Sequence, residues 1–479
     1  MVRYTFIVRD FHPLSPVGLP TLPADTFEAV TNIARNPWQN VEPLFRSATT
    51  LIAPYRPALL KAPDAWTIVL RFEGDRTMNG PGNLAIDADG NVWVNDNYEP
   101  GGRFQSVCAG ETLYKFTPTG RLFPDAPYTG GGLSGAGFGI TLDPRGHVWV
   151  SNFGFQAPAC QGTPDAAKNN SVSEFLPSGE PLSPDDGYTA GELDWPQGMA
   201  SDQRGSIWVT NCGNNSVTLY RRGRPAGAAN FDFGRIKVEK PFDVAIDGEG
   251  RAWVTGNANS VVSVLNGRGS PVAGSPFEGP AFDRPKGIAS DSRGNMWVAN
   301  SGIPAPPCSD GDSGPKVPLI EQGDDDPMLE TEAGGSVTLI RSSGDVDDGA
   351  PFFGGGLALP WGIAVDGNDN VWVANFGSGL GEGGSRLARI SQICGTDPAH
   401  CPPGLDTGDP ISPPTGYTSD ALRRLTGVAI DPSGNLWAAN NWQFIPLQNN
   451  PGGRTIAVFV GIAAPIETPL IGPPKRPRG

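Results

Sequence analysis

The residues best suited to ligand chemistry stand at one repeated position, three residues after a recurring tryptophan. The seven positions hold Asp96, Asn152, Asn211, Gly256, Asn300, Asn375 and Asn440. Aromatic residues follow at Tyr98, Phe153, Phe155, Phe376 and Trp442. Carboxamides donate and accept hydrogen bonds and aromatic rings stack, so the combination suits a neutral polar ligand such as a sugar or a cyclic peptide. Each asparagine has an alternative role, because asparagine at a strand end often caps its own turn.

A second set of candidate residues precedes the first apolar run of each repeat. It consists of Gly82, Phe138, Gln197, Phe242, Lys286, Trp361 and Thr426. We expect both sets to surround one opening. The predicted ligand-binding residues are Asp96, Tyr98, Asn152, Asn211, Lys286, Asn300, Trp361, Asn375, Asn440 and Trp442.

A sixteen-residue repeat positions these side chains. It occurs seven times, centred on Trp93, Trp149, Trp208, Trp253, Trp297, Trp372 and Trp437, and an aspartate stands six residues before each tryptophan. Each unit contains an apolar run, an Asp-x-x-Gly turn or its near equivalent, and a second apolar run, which predicts a tight β-hairpin. A third strand is predicted at 215–220, 259–265, 335–340 and 454–460.

Sheets this small bury their apolar faces by stacking around an axis, and the tryptophans lie 44 to 75 residues apart, the length of a propeller blade plus inserted loops. The sequence therefore predicts an all-β, seven-bladed β-propeller at 63–462. Residues 65–72 are expected to close the ring by pairing with the last blade. Residues 1–62 form an irregular N-terminal extension with a helix capped by Asp25, and serve as a clasp or as a docking arm. The Pro-rich basic tail, 463–479, is expected to be disordered.

Connection lengths distinguish the two faces of this ring. The first-to-second-strand turn is uniformly short, and we call the face that bears these turns the turn face. Connections between second and third strands range from a few residues, as at 211–216, to the segment 301–334. They leave from the opposite face, which we call the long-loop face. Binding sites usually lie on variable loops, so the site is expected there.

Charge and cysteine content limit the partners and the location. A net charge of −15 argues against nucleic acid or an anionic membrane as the main partner. The sequence contains no run of eighteen apolar residues, so no membrane-spanning helix is predicted. No signal-peptide core is visible, so the protein is expected either to be cytosolic or to have had its signal peptide removed before this numbering begins. The six cysteines lie in or beside loops without a Cys-x-x-Cys motif, which favours disulfides over zinc. The expected pairs are Cys394–Cys401, then Cys108–Cys160 and, by elimination, Cys212–Cys308. An extracellular or periplasmic protein is therefore predicted.

Metal binding is kept open. The segments 310–314, 324–326 and 345–349 are rich in aspartate, and alternating carboxylates near glycine can bind Ca²⁺. None of these segments completes a calcium-binding loop, and a solvated acidic loop is the alternative. Calcium or magnesium is therefore the metal to consider, with no ligand residue assigned.

The repeat resembles the NHL and streptogramin B lyase (virginiamycin B lyase) group of propellers, and more distantly the gluconolactonase type, over residues 81–460. The lyase resemblance implies a magnesium-assisted elimination that opens a cyclic depsipeptide ester, with histidines and a glutamate on the channel face. This sequence departs from that pattern, because it reads Trp-Val-Ala-Asn where lyase repeats tend to read Trp-Phe-Thr-Glu. Its three histidines, His12, His147 and His400, are all predicted away from the long-loop face.

Two functions are therefore compared. The first is an exported propeller that binds a carbohydrate, a peptide or a partner protein on its long-loop face without turning it over. The second is a metal-assisted lyase or lactone hydrolase whose base is a residue such as Asp96, Glu382 or Lys286 rather than histidine. The missing histidines favour the first.

Overall fold

A computed structural model describes residues 25–48, 61–101, 106–154, 170–303, 335–377, 388–442 and 452–477. The strands, in chain order, are β1 (Val69–Phe72), β2 (Pro81–Ile86), β3 (Val92–Asp96), β4 (Tyr98–Gly101), β5 (Ser106–Ala109), β6 (Leu113–Phe116), β7 (Ala136–Leu142), β8 (Val148–Asn152), β9 (Ser171–Phe175), β10 (Pro196–Ser201), β11 (Ile207–Asn211), β12 (Ser216–Tyr220), β13 (Ala229–Phe231), β14 (Pro241–Ile246), β15 (Ala252–Gly256), β16 (Val261–Leu265), β17 (Pro285–Ser290), β18 (Met296–Asn300), β19 (Ser336–Ile340), β20 (Pro360–Val365), β21 (Val371–Asn375), β22 (Arg389–Ile393), β23 (Arg424–Ile430), β24 (Leu436–Trp442) and β25 (Thr455–Phe459). The α-helices are α1 (Thr26–Arg35), α2 (Val41–Ala48) and α3 (Phe233–Ile236). Short 3-10 turns lie at Arg221–Gly223, Pro225–Gly227 and Pro398–His400.

Seven antiparallel sheets form the predicted blades. In order they are β2-β3-β6, β7-β8-β9, β10-β11-β12-β13, β14-β15-β16, β17-β18-β19, β20-β21-β22 and β23-β24-β25-β1. The hairpin β4-β5 lies in the connection between the second and third strands of blade 1. The first strand of each blade packs against the first strands of both neighbouring blades, and β23 packs against β2, so the seven inner strands form a closed ring. The predicted seven-bladed propeller is confirmed.

The N-terminal strand completes the last blade. β1 pairs antiparallel with β25, from Val69 opposite Phe459 to Phe72 opposite Ile456. This pairing confirms that the segment 65–72 contains the closing strand. Since the first and last parts of the ring share one sheet, the blades cannot separate there without losing this ladder of hydrogen bonds.

The repeated aspartate stabilises the hairpin turn of each blade. In blade 7, Asp431 Oδ1 accepts the backbone N–H groups of Ser433 and Asn435 at 2.8 and 2.9 Å, and Oδ2 accepts Trp437 Nε1 at 2.9 Å. Gly434 has a φ of 79°, which favours glycine. The Asp–Trp bond recurs in blades 1, 2, 4 and 6. The aspartate, the glycine and the tryptophan are therefore scaffold residues.

The tryptophans of blades 5 and 6 allow the contribution of the Asp–Trp hydrogen bond to the free energy of unfolding to be measured. Both Trp297 and Trp372 are fully buried, but Trp372 Nε1 donates to Asp366 Oδ2 at 2.9 Å, whereas Trp297 Nε1 has no partner among the described residues. We expect Trp372→Phe to lower the free energy of unfolding by ~1–2 kcal/mol more than Trp297→Phe, because only the first substitution breaks a buried hydrogen bond. Urea denaturation of both variants measures this difference, and equal losses would contradict it.

The N-terminal helices pack on the outside of the ring. Asp25 Oδ1 accepts the N–H of Glu28 at 2.8 Å, which confirms the predicted N-cap of α1. Trp66 Nε1 donates to the carbonyl of Val41 at 3.3 Å, and Trp38 packs against the apolar core between blades 6 and 7. These contacts agree with the clasp interpretation. Residues 1–24 and 49–60 lie outside the described ranges, so the choice between clasp and docking arm stays a prediction.

Residues 461–477, which we call the C-terminal strap, cross the turn face. Ala463 N donates to the carbonyl of Gly434 in blade 7, Ala464 N donates to Asp366 in blade 6, and Thr468 Oγ1 donates to the carbonyl of Asp87 in blade 1. Ile466 is 2% exposed. The prediction of a disordered tail is therefore wrong for 463–477. The prolines that suggested disorder instead reduce the conformational entropy that the segment loses when it packs.

One of the three expected disulfides can be compared with the structure. Cys394 and Cys401 form the predicted bond across the loop after β22. Cys212 is also disulfide-bonded. The predicted pairs Cys108–Cys160 and Cys212–Cys308 involve side chains outside the described residues and stay predictions.

Candidate functional site

The predicted rim of amides is buried inside the blades. Asn300 is typical: its Oδ1 accepts the N–H of Asp283 ahead of the inner strand, and its Nδ2 donates to Ser336 Oγ and Thr338 Oγ1 of the third strand at 3.0 and 2.9 Å. The same pattern, with a backbone N–H donor before the inner strand and partners on or beside the third strand, holds for Asn152, Asn211, Asn375 and Asn440. All five are at most 1% exposed. These contacts give the asparagines a structural role, and their role in ligand binding stays a prediction.

Asp96 and Tyr98 have comparable structural contacts in blade 1. Asp96 accepts the N–H groups of Asn79 and Gly80 at 3.1 and 2.6 Å. Tyr98 OH donates to the carbonyl of Asn441, and its ring stacks on Trp442 with centroids 4.5 Å apart. Burial, and next the charge of Asp96, raise the pKa of Tyr98. The contacts of Tyr98 with Asn441 and Trp442 therefore join blade 1 to blade 7.

Aromatic rings from alternate blades meet over the channel axis. Phe138 of blade 2 lies 5.3 Å from Phe242 of blade 4, and Phe242 lies 5.8 Å from Trp361 of blade 6, measured between ring centroids. Because these blades are not neighbours, their rings touch only by extending into the central opening. We call these three residues the aromatic plug. It closes the long-loop end of the channel between the inner strands.

Lys286 of blade 5 lies against this plug. Its Nζ is 4.0 Å from the ring centroid of Trp361 and 5.0 Å from that of Phe242, and the residue is fully buried. Burial, and next the charge of Arg284, hold the pKa of Lys286 well below its usual range. The structure therefore brings together two of the predicted site residues, Lys286 and Trp361, and gives the amine a tendency to lose its proton.

Four blades have a strained residue where the chain enters the inner strand from the long-loop face, and sequence reasoning missed these residues. The residue that enters the inner strand has a positive φ in four consecutive blades, at Trp195 (53°), Lys240 (49°), Arg284 (49°) and Leu359 (52°). We call these four residues the entry residues. Each precedes a proline, which disfavours most helical backbone conformations, and glycine would adopt this geometry at lower cost. The X-Pro step at the start of the first strand, which recurs in five of the seven blades, was the available signal.

A chamber lies inside the ring, below the aromatic plug. It has a volume of about 180 Å³ and is lined by the inner strands, Phe138 and the strap residues Ile466 to Pro474. Asp243 faces it at a position where five other blades have glycine and blade 1 has Asn83. Its carboxylate oxygens accept the N–H groups of Val244 and Ile288 at 2.8 and 3.2 Å. Burial raises the pKa of Asp243 to about 7. The sequence could have drawn attention to Asp243, because an aspartate stands there where five other blades have glycine.

The described histidines lie on the turn face. His147 Nδ1 is 2.7 Å from Glu174 Oε1, and together with Asp143 these side chains could offer three ligand atoms to a metal. The guanidinium of Arg145, however, donates to both Asp143 and Glu174 at 2.5 and 3.2 Å. Since this guanidinium already pairs with both carboxylates, the cluster fits an ion network better than a cation site. His400 lies in the disulfide loop, and His12 is outside the described residues.

The acidic segments contribute no assembled metal site within the described chain. Asp347 pairs with Arg341 and accepts its Nε at 2.7 Å, and Asp345 accepts Ser343 Oγ at 3.0 Å. The segments 310–314 and 324–326 lie outside the described residues. Calcium or magnesium binding by those segments stays a prediction.

Comparison with known proteins supports the fold. No family model and no curated protein matches this sequence. A streptogramin B lyase structure matches with a TM-score of 0.51 at 14% identity, over 82% of this chain and 97% of that chain. The extracellular domain of a protein described as a hybrid two-component system from B. thetaiotaomicron matches with a TM-score of 0.51 at 12% identity, over 84% of this chain and 45% of that one. Virginiamycin B lyase from Staphylococcus aureus matches with a TM-score of 0.48 at 14% identity, over 82% and 98%.

No helix in the described ranges is long and apolar enough to cross a membrane. At sequence identities of 12 and 14%, these structural matches show a shared fold and do not show shared chemistry. The chain is a seven-bladed β-propeller similar in fold to streptogramin B lyase.

Proposed function

We propose that this protein is an exported propeller that binds a polar ligand, namely a carbohydrate, a peptide or a partner protein, on its long-loop face. The observation that carries this proposal is the set of entry residues around the channel mouth. A left-handed backbone costs ~1–3 kcal/mol at a non-glycine residue, and such strain concentrates at functional sites. Four blades in succession keep side chains where glycine would be less costly, which favours a role for the side chains themselves.

The chemistry of the mouth supports a ligand with an acidic group. Lys240 and Arg284 are half-buried there, and Trp195 meets Phe153 edge to face at 5.1 Å between centroids. An aromatic ring can stack on an apolar ligand face, and the cations of neighbouring blades can pair with a carboxylate of the ligand. The turn face is a weaker candidate for this ligand, because the strap covers the channel at that end.

Export rests on two observations. Cys394 and Cys401 form a disulfide in a surface loop, and disulfides persist mainly in oxidising compartments. A structure with the same fold is an extracellular domain. Both favour an extracellular or periplasmic location.

The test replaces an entry residue by glycine. We expect Arg284→Gly to keep or raise the free energy of unfolding, by ~1 kcal/mol, because glycine tolerates this φ and the charge next to Lys286 is removed. The wild-type chain is screened on a glycan and peptide array, and the variant should bind the best ligand at least tenfold more weakly in calorimetry. Arg222→Gly is the matched control, since Arg222 also has a positive φ of 54° but lies on the turn face. Equal weakening by both substitutions would contradict the proposal.

A lyase or lactone hydrolase is the second candidate, and the lowered pKa of Lys286 is the observation that favours it. A neutral amine can accept a proton near pH 7, as a general base must. We would incubate the protein with quinupristin and Mg²⁺ and follow ring opening by chromatography. Activity that is lost in Lys286→Met and retained in Lys240→Met would support the enzyme, and intact substrate after long incubation would reject it.

A further inference from the structure

A groove on the turn face is formed by three segments outside the blade sheets together with the hairpin turns of blades 6 and 7. It has a volume of about 1390 Å³ and lies between the α1–α2 connection, the disulfide loop of blade 6 and the C-terminal strap. Six carboxamide residues line it, namely Asn36, Gln39, Asn40, Asn368, Asn370 and Gln392. The half-buried ring of Trp38 also lines it. We propose that this groove is a binding site for an oligosaccharide that carries carboxylate groups.

Unused hydrogen-bonding groups support a ligand. Within the described part of the chain, the Gln39 carboxamide and the Arg35 guanidinium make no hydrogen bond or ion pair, although both line the groove. His400 Nε2 accepts from Arg476 Nη2 at 2.8 Å, so the ring proton of neutral His400 is on Nδ1. That Nδ1 is buried, makes no hydrogen bond in the described residues and lies 3.6 Å from Asp397 Oδ2, so it is not offered to a ligand. Sugar hydroxyls both donate and accept, and could pair with Gln39 and Arg35.

The charge of the groove is opposite to that of the whole protein. The chain has a net charge of −15, yet Arg35 and Arg476 are exposed in the groove wall. Asp366 is the one carboxylate among the described lining residues, and it is 1% exposed. It already accepts Trp372 Nε1 and the backbone N–H groups of Asn368, Asn370 and Ala464, and burial raises its pKa to about 6. Two arginines against one carboxylate that is already hydrogen-bonded leave the groove wall net cationic, which favours an acidic ligand.

The shape of the groove favours a sugar chain over a peptide. The lining residues come mainly from a helix end, hairpin turns and loops, so a peptide could not bind there by adding a strand to a sheet edge. Ligand pockets for drug-sized molecules usually have ~300–1,000 Å³. This larger groove therefore suits several sugar units, with one ring stacked on Trp38.

Calorimetry on the full chain tests the site with tetragalacturonic acid as the probe. We expect binding by the wild type, and at least tenfold weaker binding of the uncharged tetrasaccharide galactotetraose and of a tetraglutamate peptide. The double variant Arg35→Ala/Gln39→Ala should bind tetragalacturonic acid at least tenfold more weakly. Gln203→Ala/Arg204→Ala is the matched control, because this pair is exposed on the turn face away from the groove.

Each outcome decides the proposal. Wild-type binding that the groove variant loses and the control variant keeps would support it. No binding to the wild type, or equal binding by both double variants, would overturn it. Equal affinity for tetraglutamate would make the groove an acidic-peptide site instead. Arg284→Gly leaves this groove intact, so its result is independent of the function proposed for the long-loop face.

Discussion

Deletion of residues 463–477 is expected to lower the free energy of unfolding by at least ~5 kcal/mol. The strap buries Ile466, which is worth ~2–3 kcal/mol, and makes hydrogen bonds of ~1 kcal/mol each to the turns of blades 1, 6 and 7. Native proteins are stable by only ~5–15 kcal/mol, so the loss is a large part of the total. Urea denaturation followed by tryptophan fluorescence measures it.

Two single substitutions in the strap show how much of this loss comes from the burial of one side chain rather than from removal of the whole segment. Ile466→Ala should cost ~2–5 kcal/mol, because Ile466 is 2% exposed and packs in the core between blades 6 and 7. Leu470→Ala should cost less than ~1 kcal/mol, since Leu470 is 45% exposed. A truncated protein as stable as the wild type would show that the strap merely rests on the turn face.

Asp243→Asn is expected to stabilise the protein at pH 8 by ~2–4 kcal/mol and to change little at pH 4. Burial raises the pKa of Asp243 from 3.8 to about 7, so the folded state binds this proton more tightly than the unfolded state does. Stability from this group is therefore fully present below about pH 4 and is lost as the pH rises towards 7. One pKa unit corresponds to ~1.4 kcal/mol. Asparagine carries no charge to desolvate, and removes this loss.

Blade 1 shows that asparagine fits this position. Asn83 accepts the N–H of Leu84 at 2.9 Å and donates its Nδ2 to the carbonyl of Phe138 in the next blade at 2.9 Å. The reciprocal substitution, Asn83→Asp, should therefore introduce a stability loss between pH 4 and 8. Thermal unfolding at both pH values measures the two effects. If Asp243→Asn gives the same change at pH 4 and pH 8, Asp243 is not the titrating group. Asp366, whose pKa burial raises to about 6, should contribute to any pH dependence that remains.

The scaffold was predictable because its determinants are local. Asp431, Gly434 and Trp437 interact within a single hairpin, so their spacing alone predicts the turn and, repeated seven times, the propeller. The closing strand β1 was predictable because its β-pattern stands outside the repeats and a propeller must join its first and last parts or leave an open strand edge.

The candidate site depended on contacts between distant parts of the chain. The asparagines looked like a polar rim because sequence shows residue type but not direction, and in the structure hydroxyls of the third strand occupy their amides. The aromatic plug joins Phe138, Phe242 and Trp361, which meet only when the ring closes. The strap lies on turns far from it in sequence.

The sequence by itself determined the blades, their number and the closing strand, because hydrogen bonds within a repeat and apolar alternation act over short distances. Tertiary structure decided which polar groups remain available to a ligand. That depends on burial, which is a property of the closed ring: it hides the asparagines and Lys286, leaves the entry residues at the mouth, and brings Trp38, His400 and Arg476 together around one groove.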